Sequence, residues 1–156
     1  MLPDAPIPGQ TPLDDLSGLR DKRILTTAEL NSAEAENIRK ATLKYLASRP
    51  SRRSARFDLE WLCKLHKEMF GDIWRWAGSF RKRETNIGSP PHEIELRLHN
   101  LLDHLKAWQV SEMSLIEQAV VLHHLAVQIH PFPNGNGRWA RMVANILVET
   151  PRCRGD

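Results

Sequence analysis

The chain has 156 residues, of which 41% are hydrophobic and 26% charged, with a net charge of +3 and two cysteines. That length allows one domain with one core, and the composition excludes a disordered or fibrous chain. So small a charge argues against direct nucleic-acid binding, and no apolar run reaches the ~18 residues of a membrane span, which excludes a membrane partner. Cys63 and Cys153 show neither C-x-x-C nor zinc spacing. The start also lacks the basic and apolar stretches of a signal peptide, so a cytoplasmic setting with free thiols is expected.

Residues 1–25 begin with Pro3, Pro6, Pro8 and Pro12, which remove donors and hold the chain extended, so an extended N-terminal segment is expected. Asp14 to Arg23 reads as a turn of helix or a loop. From Thr26, an N-cap with acidic residues after it, Leu30, Ala33, Ile38, Ala41 and Tyr45 recur at helical spacing to about Ser48, predicting a helix over about 27–48. Pro50 and its serines break the pattern. Asp58 caps a second helix with Leu59, Leu62, Leu65, His66 and Met69 inward, ending near Gly71. Trp74 and Trp76 anchor the next stretch by burial, and residues 82–92, with Gly88, Pro90 and Pro91, read as a short β-hairpin or extended loop. A helix with Ile94, Leu98, Leu101, Leu102, Leu105 and Trp108 inward follows. Ser114 caps another, with Ile116, Ala119, Val120, His123 and Val127 on its apolar face. The last helix carries Met142, Val143, Ile146 and Leu147 and ends at Thr150-Pro151. The fold class is therefore all-α, a single helical bundle of about six helices.

Chemistry concentrates at His130-Pro131-Phe132-Pro133-Asn134-Gly135-Asn136-Gly137-Arg138-Trp139-Ala140-Arg141. The prolines stop one helix and the glycines let the backbone bend so that successive N–H groups converge where the next begins, an anion site. Arg138 and Arg141, three apart, share one helix face and add guanidinium forks for a polyphosphate. His130, at the end of the incoming helix, is placed to act as a base. His123 and His130 lie seven apart with no third ligand at a matching spacing, which argues against a metal there.

This string resembles the signature of the Fic (filamentation induced by cAMP) family, H-P-F-x-[D/E]-G-N-G-R-x-x-R, and departs from it at Asn134, where the family has an acidic metal ligand. Phe70 to Arg81 resembles its W-A-G-x-x-R segment. Beyond the signature the family continues with a further covering helix, whereas Arg152 to Asp156 end this sequence, which reads as a minimal domain or a truncated end. The likeness extends from about residue 9 and looks nearest to the small members called mobile mystery protein B. It implies the Fic fold over 26–156 with a β-hairpin flap, in which Thr85, Asn86 and Ile87 would hold a target segment by backbone pairing. It also implies a protein adenylyltransferase that uses ATP as co-substrate and Mg2+ to place AMP on a hydroxyl of a target protein. His130 would be the catalytic base, and Gly135, Asn136, Gly137, Arg138 and Arg141 would bind nucleotide, with Asn134 a doubtful metal ligand. Ser32-Ala33-Glu34-Ala35-Glu36-Asn37 fits [S/T]-x-x-x-E-[G/N], the family's inhibitory helix motif. Ser32, Glu36 and Asn37 would then form the inhibitor, with Glu36 paired to Arg141. The rival readings are a weak or inactive nucleotide-binding partner of a toxin–antitoxin pair, and other phosphoryl chemistry such as AMP removal. Self-association is left open.

Overall fold

The computed structural model describes residues 15–151, so the proline-rich start, Cys153 and the chain end expected to be minimal or truncated lie outside it. Five α-helices follow one another: α1 Thr27–Leu46, α2 Leu59–Phe70, α3 Ile94–Gln109, α4 Leu115–Ile129 and α5 Asn136–Glu149. A 3-10 turn, Pro91–Glu93, leads into α3, so the described residues hold five α-helices where about six were expected. The starts are those the caps dictate. Thr26 with Glu29 and Ser114 with Glu117 form reciprocal capping boxes, and Asp58 accepts from the Trp61 amide.

α4 packs on α5, α1 on α2 and α3 on α4, around a core in which Leu65, Met69, Phe70, Trp74, Leu98, Phe132 and Trp139 are fully buried. Asp15 to Arg23 forms turns with no helix, and Leu19 pairs with Trp74 in an isolated antiparallel bridge. The hairpin expected within 82–92 is not formed: residues 81–90 carry bends and no strand. Gly88 at φ 105° and two consecutive prolines break the extended run. Ile116 and Val120 are 62% and 61% exposed. α4 buries Gln118, Ala119, Leu122, Ala126 and Ile129 instead, because it is apolar on more than one side and spacing alone does not orient it.

Candidate active site

His130 ends α4 in the left-handed region, at φ 53°, ψ 59°. A following proline disfavours the right-handed helical region for this residue, so the helix must stop at it. A left-handed histidine is costly and needs external support. Arg81 provides it. Its Nε donates to the His130 carbonyl at 2.6 Å, one terminal nitrogen donates to the Arg83 carbonyl at 2.9 Å, and the other reaches the Ser89 and Ile129 carbonyls. Backbone bonds Arg81 N to Pro131 O and Ser89 N to Ile129 O close the same junction. Gly88 lies so close that a Cβ there would meet the His130 Cβ at 2.6 Å. The His130 ring is 4% exposed and neither of its nitrogens has a partner among the described residues. Burial, and then the Arg81 charge, push its pKa below 6.5, which keeps the ring neutral at pH 7 as a proton acceptor must be.

The loop after His130 is closed by its own side chains. Asn136 accepts from the Phe132 amide and donates to the Phe132 carbonyl, both at 2.8 Å. The Asn136 side-chain amide is thus engaged inside the loop, and its backbone N–H is left for a ligand. Gly135, at φ 79°, is the N-cap of α5, and its carbonyl receives the first helical bond, from Trp139 N at 2.9 Å. The amides of Asn136, Gly137 and Arg138 precede that bond and are the orphan donors of a helix start. A Cβ on Gly137 would meet nothing within 4 Å, so open space lies beside Gly137. Asn134 does not face that space as a free ligand, since its Oδ1 accepts from the Gly135 amide at 2.6 Å.

Arg138 is held before any ligand arrives. Its guanidinium lies 4.8 Å from the Phe70 ring centroid and pairs with Glu34 of α1 at 2.6 Å. The Glu34 side chain is 7% exposed, and its other oxygen accepts from Trp74 Nε1 at 2.7 Å. The expected contact of Glu36 with Arg141 is not formed. Glu36 and Ser32 lie on the exposed face, and Glu36 pairs with Arg39 at 2.8 Å. The helix turns two residues differently from the motif alignment, because Trp74 and the α1–α2 contact bury the face that carries Leu30, Glu34, Asn37 and Ala41. Asn37 bonds the backbone of Glu68 and Asp72. Arg141 is exposed and partnerless among the described residues.

Thr85 is half-buried, Asn86 and Ile87 are exposed, and the Thr85 hydroxyl donates to the Ile87 carbonyl. Between the anchors at Arg81 and Ser89, no backbone amide has a partner among the described residues. No three His, Cys, Asp or Glu side chains of the described residues gather into a metal site, and no described helix is long and apolar enough to cross a membrane.

The sequence model of the Fic/DOC family matches residues 56–148. The chain belongs to the Fic/DOC family. The Aedes aegypti protein named "Protein adenylyltransferase Fic" is 27% identical over 115 residues, 69% of this chain and 23% of that protein, so the chain spans about a quarter of the length of such relatives. Among solved structures, the N-terminal Fic domain of a Bartonella effector protein from Bartonella sp. AR 15-3 superposes with a TM-score of 0.66 at 21% identity, covering 92% of this chain and 70% of that one. A Bartonella quintana Fic domain solved with bound ADP gives 0.64 at 21%, covering 86% and 73%. These likenesses carry the fold. The matched Fic region holds α2 to α5 and the flap, whereas Glu34 reaches it from α1, ahead of the match.

Four side chains that shape this site, His66, Arg81, Glu34 and Trp74, were not singled out for it in the sequence. His66 and Trp74 read as core, Arg81 as the closing residue of the W-A-G-x-x-R segment with no role of its own, and Glu34 as a variable position between Ser32 and Glu36.

The two glycines of the loop should respond oppositely to alanine. Gly135→Ala sets a Cβ 2.6 Å from the Phe70 ring at φ 79° and should cost about 1–3 kcal/mol in chemical denaturation. Gly137→Ala, in the first turn of α5 and facing open space, should leave stability equal or raise it by up to about 1 kcal/mol.

His66, fully buried, has its pKa lowered from 6.5 to about 3 by burial first, its backbone bond to Asn134 opposing and Arg138 adding. The unfolded chain therefore takes up a proton below pH 6.5 that the folded one refuses until about pH 3, and stability falls as pH drops through that window. Between pH 7 and pH 5 wild type should lose about 2 kcal/mol more than His66→Gln, measured by urea denaturation at both pH values.

Proposed function

We propose that this domain transfers AMP from ATP to a hydroxyl side chain of a protein target. The observation that carries the reading is a buried histidine with two unpartnered ring nitrogens beside an open helix N-terminus flanked by two arginines. The names of the adenylyltransferase relatives and the ADP-bound neighbour support it. The amides at the start of α5 receive phosphate oxygens, and Arg138 and Arg141 bind the distal phosphates. The target hydroxyl attacks the α-phosphorus in line, the bond to the bridging oxygen breaks, pyrophosphate leaves and the hydroxyl proton passes to His130. Amides already aimed at the phosphates stabilise the charge that develops there, the term that usually dominates. The unpaired amides of the flap fit an extended target segment added by backbone hydrogen bonds. Thr85, Asn86 and Ile87 lie on that edge, which selects an extended backbone ahead of side-chain identity. The cytoplasm is the setting this chemistry suits.

Arg138 cannot serve a phosphate and Glu34 at once. We read α1 as the inhibitor of this site acting through Glu34, with Glu36 bystanding. A group on the same chain acts at an effective concentration on the order of millimolar, so nucleotide must compete with it.

Magnesium was expected with ATP. The chain's own donors do not fit a protein-held magnesium site: Asn134 has only a neutral amide oxygen, already bonded to the Gly135 amide, and among the described residues no carboxylate cluster stands near. No step above therefore runs through a protein-bound ion. The same occupied Asn134 favours a second reading, in which the site holds nucleotide without turning it over and serves as a binding partner in a toxin–antitoxin pair.

Incubation with α-labelled ATP separates the two readings, since only a transferase acquires covalent label. His130→Ala should lower labelling by at least about 100-fold while ADP binding stays within a factor of about three, because the base acts in the transition state. Undiminished labelling would remove His130 from the chemistry.

Glu34→Gln keeps an acceptor for Trp74 Nε1 but removes the competing charge. It should tighten ADP binding by about fivefold, as expected for a half-exposed pair, and raise labelling, whereas Glu36→Gly should change neither. Equal binding by wild type and Glu34→Gln would defeat the inhibitory role.

A further inference from the structure

The loop that forms the anion site is pinned at both ends. Asn136 holds the Phe132 peptide, and the Gly135 carbonyl is fixed by Trp139. Between them lies the peptide joining Asn134 to Gly135. A trans peptide points its C=O and N–H in opposite directions, so the direction of the Asn134 carbonyl decides where the Gly135 amide points. Glycine tolerates positive and negative φ alike, so the backbone at 135 does not by itself prevent this peptide from turning over. Turned over, it would present a carbonyl oxygen to a phosphate in place of a donor.

The lock comes from α2. His66 is fully buried and its Nε2 lies 3.0 Å from the Asn134 carbonyl oxygen. Its Nδ1 accepts from the Gly78 amide, also at 3.0 Å. A neutral imidazole has one donor and one acceptor nitrogen. Since Gly78 N–H can only donate, Nδ1 is the acceptor and the proton sits on Nε2, facing Asn134. The ring cannot swing away: it stacks on Phe132 at 3.7 Å and 18°, with Phe70 and Trp76 tilted against it at 4.8 and 6.1 Å. With the carbonyl held toward His66, the Gly135 N–H points the other way, where Asn134 Oδ1 now caps it at 2.6 Å.

We propose that His66 is a positioning residue for nucleotide binding: its Nε2–H bond to the Asn134 carbonyl fixes the peptide plane that aims the Gly135 amide at a phosphate. This rests on the reading of the site as a nucleotide site and names the part of the fold that prepares it. Asn134 Oδ1 is the stand-in for the phosphate oxygen and must swing aside when nucleotide enters. The low basicity of the buried ring serves the same end, because a cationic ring would place a proton on Nδ1 against the Gly78 N–H.

Three substitutions and one measurement on wild type test this. Glutamine places an amide nitrogen near the Nε2 position and keeps a donor for Asn134. Asparagine keeps only an acceptor at the Nδ1 position, and phenylalanine keeps only the stacked ring. ADP titrations, which need no turnover, should give His66→Gln an affinity within about threefold of wild type and both His66→Asn and His66→Phe a loss of about tenfold or more, the scale of one hydrogen bond to a charged group. The Gly135 amide resonance should shift on ADP addition in wild type and His66→Gln only. Asparagine and phenylalanine variants that fold and bind ADP as wild type does would overturn the proposal. So would imidazole nitrogen shifts in wild type that report an Nδ1–H tautomer, or a cation at pH 5, since neither leaves Nδ1 free to accept. That second readout stands if the variants fail to fold. If wild type itself binds no ADP, the nucleotide reading fails, and the tautomer still decides whether His66 holds Asn134.

Discussion

A buried cation without a carboxylate partner holds this site together. Among the described residues the Arg81 guanidinium donates only to carbonyl oxygens, those of Arg83, Ser89, Ile129 and His130. A buried charge persists only when its donors are met, and here both ends of the flap, the end of α4 and the left-handed histidine meet them together. Lysine has the charge but not the planar fork, and cannot span four acceptors in three directions. The two ends of the flap and His130 are therefore tied into one unit. On the function proposed above, a target strand paired with the flap would lie against His130.

The remainder of the site is organised in the same way, with each reactive group held by something it does not react with. His66 holds the backbone of the anion loop, Asn136 closes that loop on itself, and Phe70 lies under both Gly135 and Arg138. Arg138 alone is held by a group of opposite charge, and Glu34 is tied to Trp74, a fully buried side chain at the centre of the fold. The ion pair and the packing of α1 therefore strengthen one another.

The sequence carried the fold well where caps and stripes agreed. Thr26, Asp58 and Ser114 start helices because each has an oxygen for an orphan amide, and the α2 and α3 stripes face inward as their spacing requires. It failed where a helix has more than one apolar side. α4 shows Ile116 and Val120 to solvent, a choice made by α3 and α5 and invisible within α4 itself. At the site, His130, the glycines and both arginines could be read because a loop between two helices keeps its residues adjacent in the chain. Glu34 could not, because the two-residue difference between it and Glu36 is decided by which face of α1 meets Trp74. The hairpin was over-read: an extended, proline-bounded run looks like a strand, yet a strand needs a neighbour, and this flap has none within the described chain.

Glu34 and Arg138 are 104 residues apart. At a synthesis rate of roughly 5–20 residues per second, the glutamate leaves the ribosome roughly 5–20 s before the arginine. The acid is therefore already synthesised when the last helix arrives, and the arginine can meet a carboxylate tethered to the same chain as soon as α1 and α5 pack. A copy that folds without nucleotide has Arg138 engaged by Glu34, as here, so on the reading of α1 as inhibitor the closed site comes first and opening follows.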